Sequence, residues 1–306
     1  EPATGATMEF TRRDALTAVG LTAVSATLMA SQAAAREAAA QQMPGAMPIR
    51  KPTKKRITQS VCQWCYRQMD IKAFYKGVVD RGLTAVDLLN EEQWTVAKGE
   101  FGLTCSMAYV GAGGINEGLN NPKHHETLIN AFKTGLPKLK AAGFPNAICF
   151  FGKRDGMSDY DGIKNSIACL KQIKPIAEDN GVTVNIELLN SKVNHPDYIG
   201  DNTPYGAAIV AAIDSPNIKL LYDIYHMQIM EGDVIATLTK YKDQIGHYHT
   251  GGVPGRNELD ATQELNWPAV VEAIIATGYK GHFAHEFIPK RDPMTSLGEA
   301  VTLCDV

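Results

Sequence analysis

The chain has 306 residues, 44% of them apolar, enough for one large domain or two small ones with a sizeable core. Its 30 Lys and Arg against 33 Asp and Glu give a net charge of −3, with an isoelectric point of about 6.3. Nothing in that balance suggests nucleic acid as the main partner, which usually goes with a basic stripe.

The first predicted element is a leader. Thr11-Arg12-Arg13-Asp14-Ala15-Leu16 resembles a twin-arginine export signal, with Ala15 where that class more often has Phe. An Ala-, Thr- and Gly-rich stretch, Ala15–Ala30, follows, then Ala33-Ala34-Ala35, a small-residue site suited to signal peptidase. The stretch is short and rich in Thr for a spanning helix. Residues 1–35 are therefore read as a signal peptide, with 1–7 set aside as a non-native start. Residues 36–56 are read as a linker and 57–306 as the folded domain. The expected location is the periplasm, reached already folded, with no membrane contact in the mature form. The basic run Arg50–Arg56 reads as solvated linker.

From Arg56 onward short apolar or β-branched runs alternate with helical spacing. The runs are Ile57–Cys62, Thr84–Leu89, Leu103–Tyr109, Ala147–Gly152, Thr183–Leu188, Ile218–Asp223, Gly246–Thr250 and His282–Phe287. Helical periodicity marks Ile71–Val79, Leu128–Ala142, Ile163–Glu178, Ala207–Ile213, Val234–Tyr241, Trp267–Ala276 and Ser296–Leu303. Gly82, Gly143, Gly181 and Gly278 stand where helices end. Eight such units over roughly 250 residues predict an α/β fold, a (β/α)8 TIM barrel. The near-continuous apolar strands suit burial on both faces. A doubly wound sheet is the rival, but Gly111-Ala112-Gly113-Gly114-Ile115-Asn116 has Asn where the third Gly of a phosphate-binding fingerprint should stand. That segment reads as a loop or lid after the third strand.

Disulfides are allowed in the periplasm, but the six cysteines form no framework. Cys105, Cys149 and Cys169 lie in apolar runs and read as core. Cys62-x-x-Cys65 has neither a second Cys pair nor a thioredoxin-like context, and reads as structural.

Glu187, Asp223, His249 and Glu286 stand at or near the ends of runs five to eight. In a TIM barrel those ends converge on the active site. Unpaired buried carboxylates are costly, so three of them beside an imidazole predict a divalent metal: Mn²⁺, Mg²⁺ or Co²⁺, with Zn²⁺ as an alternative. No cysteine joins the set, which argues against a structural zinc site. A metal with two glutamates suits an α-hydroxy carbonyl substrate, because polarising the carbonyl acidifies the adjacent C–H. One glutamate takes that proton and the other returns one. Return to the neighbouring carbon is isomerisation; return to the opposite face of the same carbon is epimerisation. Nothing in the sequence calls for a nicotinamide, flavin or nucleotide.

Asp223-Ile-Tyr-His226-Met-Gln228-Ile-Met-Glu-Gly-Asp resembles the strand-six motif of the hydroxypyruvate isomerase family, which lies within the xylose-isomerase-like barrels. Val253-Pro254-Gly255-Arg256, then Glu264-Leu265-Asn266-Trp267-Pro268, is similar to that family's strand-seven loop and next helix start. Glu187-Leu188-Leu189-Asn190 corresponds to its Glu-Pro-Ile-Asn segment. The resemblance implies that Glu187 and Glu286 are both metal ligands and the acid/base pair, with Asp223 a further ligand. It implies that His226 hydrogen-bonds a substrate oxygen and that Arg256 holds a carboxylate or distal hydroxyl. Lys153 falls where the isomerases tend to have Arg, and is either a second anion contact or an exposed lysine. The chain departs from the family in having His249 where the isomerases often carry Gln, a habit of the related ketose 3-epimerases, and in having Leu188 after Glu187. The expected substrate is a small-molecule hydroxy-keto acid or sugar, of the hydroxypyruvate to tartronate semialdehyde type. The alternative is a ketose 3-epimerase or keto-sugar isomerase. A nuclease of this fold would need more His and acidic ligands, and a binding-only barrel would not need both glutamates. His124, His125 and His195 read as structural. Substrate choice is expected to lie with loops such as Tyr109–Asn121 and with side chains near Trp64, Tyr66 and Gln93. A homo-oligomer is expected by analogy alone.

Overall fold

The computed structural model describes residues 50–306; the twin-arginine segment and its cleavage site lie outside them. The first half of the described chain runs β1 (Thr58–Cys62), α1 (Ile71–Asp80), β2 (Ala85–Leu89), α2 (Glu91–Phe101), β3 (Thr104–Ala108), α3 (His125–Ala142), β4 (Asn146–Phe150) and α4 (Asp159–Asn180). The second half runs β5 (Thr183–Leu188), α5 (Thr203–Ile213), β6 (Ile218–Asp223), α6 (Ile224–Met230), α7 (Val234–Lys240), β7 (Ile245–Thr250), α8 (Trp267–Ala276), β8 (His282–His285) and α9 (Pro293–Leu303). The strands form a closed parallel barrel in chain order, with β1 pairing β8. All eight expected runs are strands, because each is apolar enough to be covered on both faces.

Two helices escape the periodicity. In α2 Trp94 and Ala97 are the buried residues, so no apolar stripe announces it. Its ends carry the signal instead: Asn90 and Gln93 form a capping box, and Gly102 closes it in the left-handed conformation at φ 67°. Helix α6 follows β6 without a loop, capped by Asp223, whose carboxylate accepts from the N–H groups of Tyr225 and His226.

The segment read as linker is tied to the barrel at its end. Asp305 accepts from the N–H groups of Thr53 and Lys54 at 2.7 and 3.1 Å, and Arg56 pairs with Glu272. Cys105, Cys149 and Cys169 lie in the core as expected, and the six cysteines are all free and buried. Among the described residues no helix is long and apolar enough to cross a membrane.

The Gly-rich segment is a loop after β3 that folds back onto the end of β4. Leu119 and Asn120 donate their N–H groups to the carbonyls of Phe150 and Phe151. A Cβ on Gly118 would lie 2.2 Å from the Phe151 carbonyl carbon. Gly118→Ala therefore forces two backbones apart and is expected to destabilise by about 1–3 kcal/mol. A urea melt should show a lower midpoint at unchanged slope.

Candidate active site

Strand register brings the site together. Glu187 pairs with Leu221, two residues before Asp223. Asp223 pairs with His249, and His249 with Ala284, two residues before Glu286. Steps of two keep a side chain on the same face of a strand, so all four residues point into the barrel. All are buried, and their ligating atoms lie within 4.8 Å of one another.

His249 sits at the centre. Its Nδ1 lies 2.6 Å from Glu286 Oε2 and 3.5 Å from Glu187 Oε1, yet lacks the direction of a hydrogen bond and has no partner. Arg256 Nη2 bridges Asp223 Oδ2 at 2.7 Å and Glu286 Oε2 at 2.6 Å. Trp64 Nε1 donates to Glu286 Oε1 at 2.5 Å. Burial, and then the charge of Glu286, raises the Glu187 and Asp223 carboxyls. Burial would raise Glu286 too, but Arg256 and His249 hold it well below the usual carboxylate range. Three buried carboxylates face one guanidinium and the ring of His249, whose pKa burial would lower but Glu286, Cys62 and Asp87 raise well above the usual histidine value. Such a set is costly without further positive charge, and its oxygen-rich donors fit one divalent cation.

His226 offers a directed donor. Its Nδ1 accepts from the Asn190 backbone N–H at 3.1 Å and lies 2.6 Å from Asn190 Nδ2. The ring hydrogen is therefore on Nε2, which is buried, without a partner, and 3.6 Å from Asp223 Oδ2. Burial, and then the charge of Arg256, holds the ring neutral, its pKa well below the usual histidine value.

The model of the xylose isomerase-like TIM barrel family matches residues 81–303. The chain belongs to this family. It is similar to the hydroxypyruvate isomerase of Escherichia coli K12, 34% identical over 172 residues, covering 55% of this chain and 65% of that protein. It is similar also to the 2-oxo-tetronate isomerase of Cupriavidus necator, 38% identical over 122 residues, or 40% of this chain and 46% of that one. The aligned stretches span less than two thirds of these relatives' own lengths. Among solved structures, the AP endonuclease family 2 protein of Brucella melitensis superposes with a TM-score of 0.72 at 19% identity, covering 79% of this chain and 97% of that one. The 3-keto-D-glucoside 4-epimerase of Escherichia coli does so at 0.68 and 17% identity, covering 81% and 98%. Both structures show the shared fold.

In this family member the residues named from sequence fall into two groups. Six share the cluster: Glu187, Asp223, His249, Glu286, His226 and Arg256. Arg256, expected to hold a carboxylate or distal hydroxyl, lines the cleft, with its Nη2 engaged by Asp223 and Glu286. A left-handed backbone at φ 57° turns its guanidinium between the rings of Trp64 and Tyr225, 5.3 and 5.1 Å away. Lys153 stands apart. Among the described residues it makes its hydrogen bonds through the backbone, next to Asn116, Asn120 and Tyr198.

A cleft of about 510 Å³ opens above the cluster, lined by residues that include Trp64, Gln93, Tyr109, Ile115, His195 and Arg67. Trp64, Gln93 and the loop after β3 were expected there. Tyr66 is instead buried against Phe74, and His195, expected to be structural, faces the cleft. Arg67 carried no sequence signal. It is exposed, lies over the Trp64 ring at 5.6 Å, and pairs with no carboxylate among the described residues.

Sequence reasoning also missed a layer beneath the cluster. Asp87 is fully buried, and its Oδ2 accepts from His249 Nε2 at 2.8 Å and His247 Nε2 at 2.9 Å. A charged residue inside the apolar run Ala-Val-Asp-Leu-Leu was the available signal. Cys62 lies 3.9 Å from His249 Nε2 and Asp87 Oδ2, so a cysteine does adjoin the site. Burial pushes its thiol up, and His249 Nε2 is committed to Asp87. Burial would raise Asp87, but His247 and His249 hold it well below the usual carboxylate range, so the trio is a hydrogen-bonded network built around a carboxylate.

Proposed function

We propose that this family member is a metal-dependent isomerase that moves a proton between neighbouring carbons of a small α-hydroxy keto acid, of the hydroxypyruvate to tartronate semialdehyde type. One observation carries the reading: Glu187 on β5 and Glu286 just past β8 are buried at the cleft floor and flank His249 Nδ1. Glu187, Asp223, His249 and Glu286 would hold a divalent ion, which would supply the polarisation of a carbonyl that acidifies the C–H beside it. Mn²⁺, Mg²⁺ or Co²⁺ suits these donors, with Zn²⁺ as the alternative. One glutamate accepts the proton from the hydroxyl-bearing carbon and the other delivers one to the neighbouring carbon. Trp64 and Arg256 keep Glu286 aimed. His226 Nε2–H donates to the substrate oxygen on which charge develops. The 2-oxo-tetronate isomerase and hydroxypyruvate isomerase names of the relatives agree with a hydroxy-keto acid.

Arg67 supports an acid over a neutral sugar, since a guanidinium fork matches a carboxylate. Arg67→Gln is expected to raise KM for the acid about tenfold, a loss of about 1.4 kcal/mol, with kcat within about twofold. Initial-rate kinetics check this, and an unchanged KM would remove Arg67 from substrate binding.

A 3-epimerase is the second reading, favoured by glutamates reaching the site from separate strands, which suits exchange on both faces of one carbon. Metal-stripped protein resupplied with Mn²⁺ separates the two. Isomerisation turns hydroxypyruvate into an aldehyde, whereas epimerisation inverts one carbon of a ketose and leaves the carbonyl in place.

A further inference from the structure

The proposed reaction does not use the buried layer under the cluster, and its geometry is specific. Asp87 lies on β2 and His249 on β7, with β1 and β8 between them in the barrel, so the contact crosses the barrel interior. An irregularity in β2–β3 pairing at Asp87–Leu89, with Leu88 in the left-handed conformation at φ 59°, re-aims this strand. Asp87 points into the interior, while its neighbour Leu88 lines the cleft. Both carboxylate oxygens are engaged. Oδ1 accepts from the Ser106 hydroxyl, and Oδ2 takes the two imidazoles.

We propose that Asp87 is the positioning residue of the site. A carboxylate only accepts, so it fixes His249 in the tautomer with hydrogen on Nε2. When the ring is neutral, as metal binding requires, the lone pair is on Nδ1, the atom that faces Glu187 and Glu286. A carboxylate behind a ligating imidazole orients the ring and raises its basicity. The inference rests on the metal reading above, and it names the residue that makes His249 ready to bind.

Asp87→Asn tests it. The amide matches the carboxylate in size but can present an N–H to His249 Nε2, which drives the ring hydrogen to Nδ1 and occupies the ligand position. Titration of the metal-stripped full chain with Mn²⁺ is expected to show affinity lowered about 10- to 100-fold. Nitrogen NMR of the metal-free protein, at a pH high enough to leave the ring neutral, is expected to show the His249 hydrogen moving from Nε2 to Nδ1, a change that a merely structural role would not produce. Ser106→Ala, which frees one oxygen of Asp87, should weaken Mn²⁺ in the same direction by less, and serves if the first variant does not fold. Wild-type affinity in both variants, or an unmoved tautomer, would overturn the proposal. Wild-type protein that binds no Mn²⁺ would instead overturn the metal reading, and the tautomer shift would still decide what Asp87 does to His249.

Discussion

Glu286→Gln is expected to slow turnover by about 10²–10⁴-fold at saturating metal, the range for losing a positioned acid or base. Glutamine keeps the shape of the side chain and an oxygen for Trp64 Nε1, which donates at 2.5 Å in the wild type. It cannot take a proton, and it removes the charge that holds Arg256 Nη2. Because Glu286 is also a candidate ligand, metal affinity should fall too, so the comparison is made with metal titrated to saturation. A rate within about threefold of wild type under those conditions would remove Glu286 from the chemistry.

His226→Phe is expected to lower kcat by about 10²–10³-fold, as when a directed donor to a developing charge is lost. KM should change far less, since that donor acts mainly when charge has built up. Phenylalanine keeps the ring that packs near His195 and Tyr225. It also leaves the Asn190 N–H and amide, which both face Nδ1 in the wild type, without that acceptor. Stability should therefore fall by about 1–3 kcal/mol, and a urea melt run beside the kinetics separates the two effects. A kcat loss no larger than the fraction unfolded explains would mean that His226 only supports the fold.

The barrel was legible because its strands are covered on both faces, so each appears as an apolar run. The cluster was legible because polar residues interrupt those runs at one end: Glu187, Asp223, His249 and Glu286, which the barrel brings together. Which residues meet beyond that depends on register and on reach across the barrel, and neither is written locally. Asp87 and His249 are 162 positions apart, and no spacing rule connects them. The resemblance gave Arg256 a substrate oxygen to hold; it does line the cleft, but its Nη2 also bridges Asp223 and Glu286, a contact no local pattern announces. Trp64 and Tyr66 share one short 3₁₀ turn, Gln63–Tyr66. That turn sends the first to the cleft and the second into the core, a choice periodicity does not encode. Helix α2 was missed for a related reason, since caps rather than an apolar stripe define it.

The most direct test of the account follows hydroxypyruvate in D₂O by proton NMR, with metal-stripped protein before and after Mn²⁺ is restored. The account predicts that deuterium enters the substrate carbon and tartronate semialdehyde forms only when the ion is present, with both signals lost in Glu286→Gln. Conversion or exchange at the same rate without a divalent ion, or an unaffected rate in that variant, would contradict it.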